Sequence, residues 1–228
     1  MTEKQLQKLR EKEEKARLKL EAEMQRSKEM LTFEEKYAKV GFIAGVDEAG
    51  RGPLAGPVVA GAVILPQDHM ILYLNDSKKL SAKKRDELYD IIMAEALSYG
   101  IGMASPKRID EIGILNATYE AMQEAISKLD PQPAVLLNDA VKIPGMSIPQ
   151  VPIIHGDALS GSIAAASILA KVTRDRIMEE YNELFPGYGF DGHKGYGTAA
   201  HKAALLELGP CPIHRTQFVN TFLGDKKK

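Results

Sequence analysis

The chain has 228 residues, of which 44% are hydrophobic, so it can bury one sizeable core and we expect one main domain with an appendage. Its formal net charge of −1 at pH 7 excludes a protein that coats nucleic acid with a uniformly cationic surface, and any nucleic-acid contact must be local. The single cysteine, Cys211, excludes an internal disulfide framework and a multi-cysteine zinc site. The sequence contains no secretory signal and no apolar run of about 18 residues, which predicts a cytoplasmic protein without membrane contact.

The first 40 residues differ in composition from the rest. Residues 2–38 are rich in Lys, Arg and Glu, contain no Gly or Pro, and begin with a capping box at Thr2, which predicts a helix. Its apolar stripe is thin, with members at Leu6, Leu9, Ala16, Leu20 and Met24. We therefore expect residues 1–40 to form a charged helical extension that lies loosely on a catalytic domain of residues 41–228. A role in gripping nucleic acid or a partner stays open, although the interleaved charges give no strong field of one sign.

From residue 41, short apolar runs alternate with helical stretches. The apolar runs predict strands at residues 42–46, 58–65, 99–104, 134–137 and 151–154. Helical spacing and capping residues predict helices at residues 81–97, 116–129, 160–184 and 198–208, with Asn116 as one of the caps. The first two strands are expected to pair as a hairpin, and a Gly-rich loop at residues 186–197 precedes the last predicted helix. This order predicts an α/β fold, a sheet with helices around it.

Three predicted strands are followed by acidic residues: Asp47 and Glu48 after the first, Asp139 after the fourth and Asp157 after the fifth. A lone Asp at such a position is usually a turn former, but two acids followed by Gly-Arg-Gly-Pro have no ordinary packing use. Gathered carboxylates repel one another, so the group needs raised pKa values or hard cations such as Mg²⁺ or Mn²⁺. Neighbours on a strand point to opposite faces, so Asp47 and Glu48 can share a metal only if the strand breaks there. Residues 49–53 are the expected break, and the residues alone predict metal-assisted chemistry on a phosphate-bearing substrate.

The motifs carry a specific resemblance. Gly45-Val-Asp-Glu-Ala-Gly-Arg-Gly-Pro-Leu-Ala-Gly-Pro57 resembles the opening motif of the type 2 ribonucleases H, the bacterial ribonuclease HII family. Further matches follow in the same order, at Asp76–Ser81, Asn138–Ala140, Gly156–Asp157, Ala164–Lys171 with Arg174–Asp175, and His193–Thr198. Together they span residues 41–218, and several long motifs in one order are far more specific than a single pattern.

The resemblance implies a ribonuclease H-like fold, a mixed sheet flanked by helices with a helical C-terminal part. It implies hydrolysis of the RNA strand of RNA–DNA hybrids and incision 5′ of ribonucleotides embedded in duplex DNA, leaving 3′-hydroxyl and 5′-phosphate ends. The family's four catalytic acids, which are also its metal ligands, map onto Asp47, Glu48, Asp139 and Asp157. A two-metal site with Mg²⁺ or Mn²⁺ is implied, and we assign the bridging carboxylate to Asp47. Asp175 competes with Asp157 for the fourth place, but within a long helix beside Arg174 it is better explained as part of an ion pair.

Substrate selection is expected to involve the loop Gly50-Arg51-Gly52, because glycines let the backbone approach a ribose 2′-hydroxyl. The resemblance adds Tyr196, stacked against the sugar 3′ of the ribonucleotide, and a packed-core tyrosine is the alternative. Lys78 and Lys171 lie in family motifs and are predicted phosphate contacts. Lys79, Arg174 and Lys194 are weaker candidates for the same role. The spacings of His155, His193, His201 and His214 match no common zinc pattern, and a general-acid role for His193 or His214 is not favoured.

One residue departs from the family pattern. Asn138 stands where an aliphatic residue is more frequent, so either the strand ends earlier or Asn138 faces a polar pocket. Three rival interpretations remain: a type 3 ribonuclease H, another ribonuclease H-like nuclease, and a non-catalytic nucleic-acid-binding module. The Gly-Arg-Gly loop, Asp157 and the short helical extension speak against the type 3 enzyme. The expected partner is nucleic acid, either an RNA–DNA hybrid or a DNA duplex with ribonucleotides, and the expected state is a monomer.

Overall fold

The computed structural model describes residues 3–67 and 70–224. Within them the helices are α1 Glu3–Glu29, α2 Thr32–Tyr37, α3 Ala82–Glu95, α4 Pro106–Ile112, α5 Ile114–Ser127, α6 Gly156–Leu159, α7 Gly161–Leu184, α8 Phe190–His193, α9 Ala199–Leu208 and α10 Thr216–Gly224. The strands are β1 Ile43–Ala49, β2 Val58–Ile64, β3 Ser98–Ala104, β4 Val135–Asp139 and β5 Gln150–Ile153. None of these helices combines the length and apolar character that a membrane span requires.

The five strands form one mixed sheet in the order β3-β2-β1-β4-β5. The three strands β1, β2 and β3 pair antiparallel, whereas β1, β4 and β5 run parallel. Because parallel strands end at the same edge of a sheet, the residues that close β1, β4 and β5 are brought close together. The predicted α/β fold is confirmed, including the hairpin of β1 and β2.

Helices cover both faces of the sheet. Helix α5 packs on β2 and β3 from one side, and α7 packs on β1 and β2 from the other, with α3 behind it. The approach of α7 is so close that a Cβ atom on Gly45 would lie 2.1 Å from the backbone of Ser162. A methyl group there would force α7 away from β1, so glycine at this position fixes the depth at which α7 sits.

The sequence predicted most elements, but the end of β1, the start of α5 and the place of the last helix were wrong. Strand β1 extends beyond the predicted residues 42–46 to Ala49, because this stretch stays paired with β2 up to the pair Ala49–Val59, and it ends where the break at residues 49–53 was expected. Helix α5 begins after Gly113 rather than at Asn116, whose side-chain amide donates to the carbonyl of Ile112 instead of capping the helix. Helix α9 is not the last helix, and neither α4 nor α10 was predicted.

The position of Asn138 is resolved in favour of a polar pocket. Strand β4 continues through Asn138 to Asp139, and Asn138 is fully buried. Its amide group donates to Oε1 of Gln150 at 2.7 Å, and the Gln150 side chain in turn bonds to the backbone of Ile143. The strand therefore reaches two residues beyond the end of its apolar run at Leu137, as far as Asp139 itself.

The N-terminal segment consists of two helices and is docked at one end. Helix α1 is exposed along residues 3–22, whereas Ser27 and Met30 are buried. The carbonyl of Met30 accepts from the amide of Gly161 at 2.8 Å. In α2, Glu34 Oε1 accepts from the Ser160 hydroxyl at 2.6 Å and from the Ser162 amide at 2.9 Å. The expectation of a loose extension therefore holds only for its first part, and the capping residue Thr2 lies outside the described residues.

Candidate active site

Three carboxylates meet at the edge where β1, β4 and β5 end. One ligand oxygen each from Asp47, Asp139 and Asp157 lies within 4.8 Å of the other two. Asp47 lies in β1, Asp139 closes β4, and Asp157 follows β5 in the short helix α6. The amide of Gly156 donates to Asp139 at 2.8 Å, which ties the α6 turn to the end of β4. This arrangement of oxygen ligands suits a hard divalent cation.

Glu48 does not belong to this group of three. Its carboxylate nevertheless lies beside them, because the charges of Asp139 and Lys78 both act on the pKa of Glu48. The Glu48 carboxylate also lies 3.3 Å from the guanidinium of Arg51. The backbone amide of Glu48 donates to the Asp47 carboxylate at 2.7 Å, so Glu48 also holds Asp47 in place through the backbone. Both acids therefore lie in the paired strand, directly before the break expected at residues 49–53.

The electrostatics of the group favour a cation. Burial raises the pKa of Asp47 well above its ordinary value of 3.8, and the charges of Glu48 and Asp139 raise it further. Burial likewise raises the pKa of Glu48 and of Asp157, and the neighbouring Asp76 adds to the effect on Asp157. Each raised pKa means that the negative charge is poorly compensated by the protein itself. A bound cation would supply the missing compensation.

Asp76 and Lys78 form the remaining edge of the acidic group. Asp76 caps the short turn of residues 77–79 by accepting from the Lys78 amide at 2.9 Å. The Lys78 ammonium lies 3.8 Å from Asp157, with 79% of its side chain exposed. Burial lowers the pKa of Lys78, but the negative charges of Asp76, Asp157, Asp47 and Asp139 outweigh it and raise the pKa overall. Lys78 is therefore a charged and accessible group, suited to a phosphate contact.

The Gly50–Gly52 loop is supported from beneath by two buried arginines. Arg215 is fully buried and donates to the carbonyls of Gly50 at 2.6 Å and Arg51 at 3.0 Å. Arg174 is also fully buried and donates to the carbonyls of Ala55 and Pro57. Neither guanidinium lies within ion-pair distance of a carboxylate in residues 3–67 and 70–224. Carbonyl dipoles therefore replace a counter-ion, and burial lowers the pKa of Arg215 to about 9.

The two glycines of this loop serve different purposes. Gly50 has a φ of 98°, and a Cβ atom there would lie 2.1 Å from the Arg174 side chain. Glycine is therefore required at Gly50 by the fold of the loop itself. At Gly52 the nearest atom to such a Cβ is Cε1 of Tyr196, at 3.8 Å. The space above Gly52 is open, and Tyr196 borders it.

Tyr196 is not a core residue. It is 45% exposed, and its ring lies 5.9 Å from the Arg174 guanidinium carbon. The structure thus excludes the packed-core alternative and brings Tyr196 beside Gly52, although 144 positions separate them in the sequence.

Several predicted phosphate contacts differ in their environment. Arg174 is buried beneath the loop, so the prediction that it contacts phosphate was wrong. The Lys171 ammonium bonds to Asp175 at 2.7 Å and Lys194 bonds to Glu179 at 2.6 Å, whereas Lys79 is exposed. Asp175 also lies 3.9 Å from Arg85 and outside the group of three acids, so its ion-pair partners are Lys171 and Arg85 rather than Arg174.

Sequence reasoning missed Arg215, Asp76 and a cluster of histidines. Asp76 was quoted within a motif but given no role, although an acid before Ser-Lys-Lys is a signal for a cap. Arg215 lies in a segment without an evident pattern, and nothing in its neighbourhood indicates that it reaches back to Gly50. His201 and His214 were considered only as metal or acid-base groups.

Comparison with known proteins identifies the family. The family model described as Ribonuclease HII matches residues 44–221. The chain belongs to the ribonuclease HII family. A ribonuclease HII of Lachnoclostridium phytofermentans is 63% identical over 201 residues, covering 88% of this chain and 79% of the relative. A ribonuclease HII of Ruminiclostridium cellulolyticum is 56% identical over 95% of this chain and 86% of its own length. The chain is therefore an enzyme, an endonuclease with ribonuclease H activity.

Solved structures agree with this assignment. A ribonuclease H2 of Pyrococcus horikoshii is 26% identical, with a TM-score of 0.64 over 78% of this chain and 93% of that one. The ribonuclease HII of Archaeoglobus fulgidus, solved in complex with PCNA, is also 26% identical, with a TM-score of 0.65 over 78% and 95%. A ribonuclease HIII solved with Mn²⁺ shares 17% identity at a TM-score of 0.54, which shows a common fold alone. The match to the ribonuclease HII family sets aside the three alternatives, a type 3 enzyme, another ribonuclease H-like nuclease and a non-catalytic module.

Proposed function

We propose that this ribonuclease HII uses Asp47, Glu48, Asp139 and Asp157 to hold Mg²⁺ or Mn²⁺ and cleaves on the 5′ side of a ribonucleotide. The substrates would be RNA–DNA hybrids and DNA duplexes that contain a single ribonucleotide. The observation that carries the proposal is the group of three acids, whose oxygens lie within 4.8 Å of one another beside a loop built around glycine.

The acids fit divalent cations on physical grounds. Asp47 and Asp157 are each 6% exposed, and burial raises the pKa of both. Buried carboxylates at this separation cannot all ionise without a compensating charge, and oxygen ligands favour Mg²⁺ or Mn²⁺ over zinc. When bound, two such cations supply an activated water and stabilise the leaving oxygen in an in-line displacement at phosphorus. The expected products carry 3′-hydroxyl and 5′-phosphate ends.

The chain's own residues would bind and orient the substrate. The open space above Gly52 admits a sugar, and Tyr196 at its border offers a flat ring for stacking against the next sugar. Selection of ribose requires polar groups that pair with the 2′-hydroxyl, since a site built for a hydroxyl strongly rejects an analogue that lacks it. Exposed Lys78 and Arg51 beside the acids would hold the phosphates on either side.

Cleavage of three duplexes tests the proposal. The first is DNA with one ribonucleotide, the second an RNA–DNA hybrid and the third all DNA, each with Mg²⁺ or Mn²⁺. We expect incision 5′ of the single ribonucleotide, cleavage of the hybrid, and none of the all-DNA duplex. An intact single-ribonucleotide duplex beside a cleaved hybrid would contradict the incision specificity.

A matched pair of variants tests the acids. Asp139→Asn should lower kcat by at least about 100-fold, because it removes a ligand charge while keeping the side-chain shape. Asp90→Asn, on the exposed side of α3, is the control and should retain full activity. Equal activity of the two variants would exclude Asp139 from the metal site.

A further inference from the structure

A buried histidine network lies behind Tyr196 and takes no part in the proposed chemistry. His201 in α9 is fully buried, and His214, which precedes α10, is 5% exposed. The His193 ring stacks on His201 with centroids 4.3 Å apart, and Phe190 packs edge-on against His201. Buried imidazoles are retained only where their nitrogens have defined partners.

The partners determine which nitrogens carry protons. Nδ1 of His201 lies 3.0 Å from the Tyr196 carbonyl, which can only accept, so Nδ1 donates. Nε2 of His201 then accepts from Nε2 of His214 at 3.1 Å. Nδ1 of His214 accepts from the Cys211 amide at 3.0 Å, whereas the Cys211 carbonyl is farther away at 3.3 Å. Both rings are thereby neutral, and the chain of hydrogen bonds runs from Cys211 to Tyr196.

The same network joins the loop of Tyr196 to the loop of Gly50–Gly52. Three successive carbonyls of the first loop are held from separate elements. The Lys194 carbonyl accepts from the Arg174 guanidinium at 3.0 Å, and the Gly195 carbonyl accepts from the Leu54 amide at 2.8 Å. The Tyr196 carbonyl accepts from Nδ1 of His201. His214 in turn pairs through its backbone with Ala55, directly after Leu54. A displacement of His201 or His214 would therefore shift Tyr196 relative to Gly52.

We propose that His201 and His214 are positioning residues that hold Tyr196 at its distance from the Gly50–Gly52 loop and thereby set the selection of ribose. This inference rests on the proposed function, because it takes Tyr196 and the loop as the groups that contact the substrate sugars. Neither histidine touches substrate; both act through the Tyr196 backbone.

Two substitutions at one position separate positioning from simple packing. In His201→Asn the side-chain amide lies near the former Nδ1 and can still donate to the Tyr196 carbonyl. In His201→Gln the amide lies near the former Nε2, keeps its contact with His214, and leaves the Tyr196 carbonyl without this donor. On the single-ribonucleotide duplex we expect His201→Gln to lower kcat/KM about tenfold, mainly through KM, and His201→Asn to stay within about twofold.

The histidine at the other end supplies an independent pair. His214→Gln retains a donor near the former Nε2 and should keep kcat/KM within about twofold of the unaltered protein. His214→Asn removes that donor and should lower kcat/KM about tenfold, as expected for His201→Gln. Circular dichroism and thermal unfolding identify any variant that fails to fold, and the folded partner of each pair then carries the test. Equal losses for Asn and Gln at both positions would overturn the proposal.

The Tyr196→Ala background decides whether the histidines act through Tyr196. There, His201→Gln should change kcat/KM by less than about twofold, because the group that it positions is already gone. A full tenfold loss in that background would overturn the proposal. If the unaltered protein leaves the single-ribonucleotide duplex intact, the proposed function fails by itself, and the Asn and Gln comparison on the RNA–DNA hybrid still tests the positioning role.

Discussion

The carboxyl group of Asp47 is placed where it costs stability unless a cation is present. It lies in the interior of a regular strand, 6% exposed, with Asp139 and Asp157 within 4.8 Å. Folding must remove its hydration while bringing like charges together, and both effects oppose ionisation. A residue retained under such conditions is better explained by ligand binding than by packing.

Replacing Asp47 by Asn is expected to abolish cleavage while raising the unfolding temperature measured without divalent cations. The Asn side chain still accepts from the backbone amide of Glu48 but carries no charge, so the repulsion from the other acids is removed. We expect the free energy of unfolding to rise by on the order of 1 kcal/mol, or about 2–4 °C in unfolding temperature. A raised folded-state pKa means that stability is present below the unfolded value near 3.8 and is lost as pH rises through the folded value. The advantage of the variant should therefore grow with pH.

With Mg²⁺ or Mn²⁺ present, the unaltered protein should unfold at a higher temperature than Asp47→Asn. The unaltered protein gains stability by binding the cation, whereas the variant gains less. Differential scanning fluorimetry with EDTA and with excess cation measures both effects, and Asp90→Asn serves as the control. A variant that unfolds below the unaltered protein in EDTA at every pH would contradict this account of the site.

At the residue scale the structure brings together three of the four acids named from the sequence, Asp47, Asp139 and Asp157, with Glu48 outside their group. The pair Asp47-Glu48 was expected to follow the end of the strand, lead into a break at residues 49–53 and share a metal there. The apolar run indicated a strand end at Val46, yet the pairing of β1 with β2 continues past Glu48 to Ala49, directly before Gly50. Local composition indicated the end of the apolar run, whereas hydrogen bonding between strands determined where the strand ends.

At the scale of elements, the composition of the N-terminal extension changes sharply near residue 40, but its last part is bonded to the rest of the fold. Glu34 of α2 accepts three hydrogen bonds from Ser160 and Ser162 at the start of α7, the helix that packs on β1. A carboxylate at a helix N-terminus satisfies free amides and complements the helix dipole. The end of the extension thus stabilises the helix that fixes the depth of the active-site strand.

Deletions and one substitution test this division. Removal of residues 1–20 should leave cleavage unchanged and the unfolding temperature within about 2 °C, because α1 is exposed there. Removal of residues 1–40 should lower the unfolding temperature by at least about 5 °C, since the hydrogen bonds to α7 and the burial of Met30 are lost.

Glu34→Ala should reproduce part of the fall in unfolding temperature expected for removal of residues 1–40. Glu35→Ala, at the exposed neighbouring position, is the matched control. An equal unfolding temperature for these two variants would show that α2 does not stabilise α7.

Capping residues account for most of the helices that were predicted correctly. Ser81, Ser160 and Thr198 each accept from an amide three residues later, as their positions before helical spacing indicated. Asn116 carried the same signal, but its helix begins at Gly113, where the backbone turns at a φ of 80° without a side-chain cap. Short helices such as α4 lack enough periodicity to be separated from loops.

At the scale of the whole molecule, stability should fall in mild acid because of the histidine network. Burial lowers the pKa of His214 from 6.5 to about 4, and burial also lowers that of His201. Between pH 6.5 and about 4, His214 is protonated in the unfolded chain but stays neutral in the folded protein. The free energy of unfolding therefore decreases as pH falls through this range. For His214 the loss is on the order of 2–3 kcal/mol.

Urea unfolding at several pH values between 7.5 and 4.5 measures this dependence. His214→Gln removes one of the titrating groups and should flatten the curve, while the opposing contribution of the acids is common to both proteins and cancels in the difference. Parallel curves for the unaltered protein and the variant would rule out His214 as a source of acid sensitivity.

Long-range contacts mark the limit of what could be predicted. The apolar runs and their order predicted the sheet and its flanking helices, since each depends on neighbours within a few residues. The support of Gly50 by Arg215 joins positions 165 residues apart, and the hydrogen bond between His201 and His214 depends on the packing of α9. Such contacts leave no local pattern, so only the folded structure reveals them.

The two arginines beneath the Gly50–Gly52 loop also affect how natural variation in this enzyme should be interpreted. Arg174 and Arg215 hold the loop by its carbonyls and are themselves inaccessible. A substitution at either position would alter the shape of the loop that we propose contacts the sugar, while leaving the side chains proposed to face the substrate unchanged. Changes of substrate preference between relatives can therefore arise from an interior layer, which a survey of surface positions would overlook.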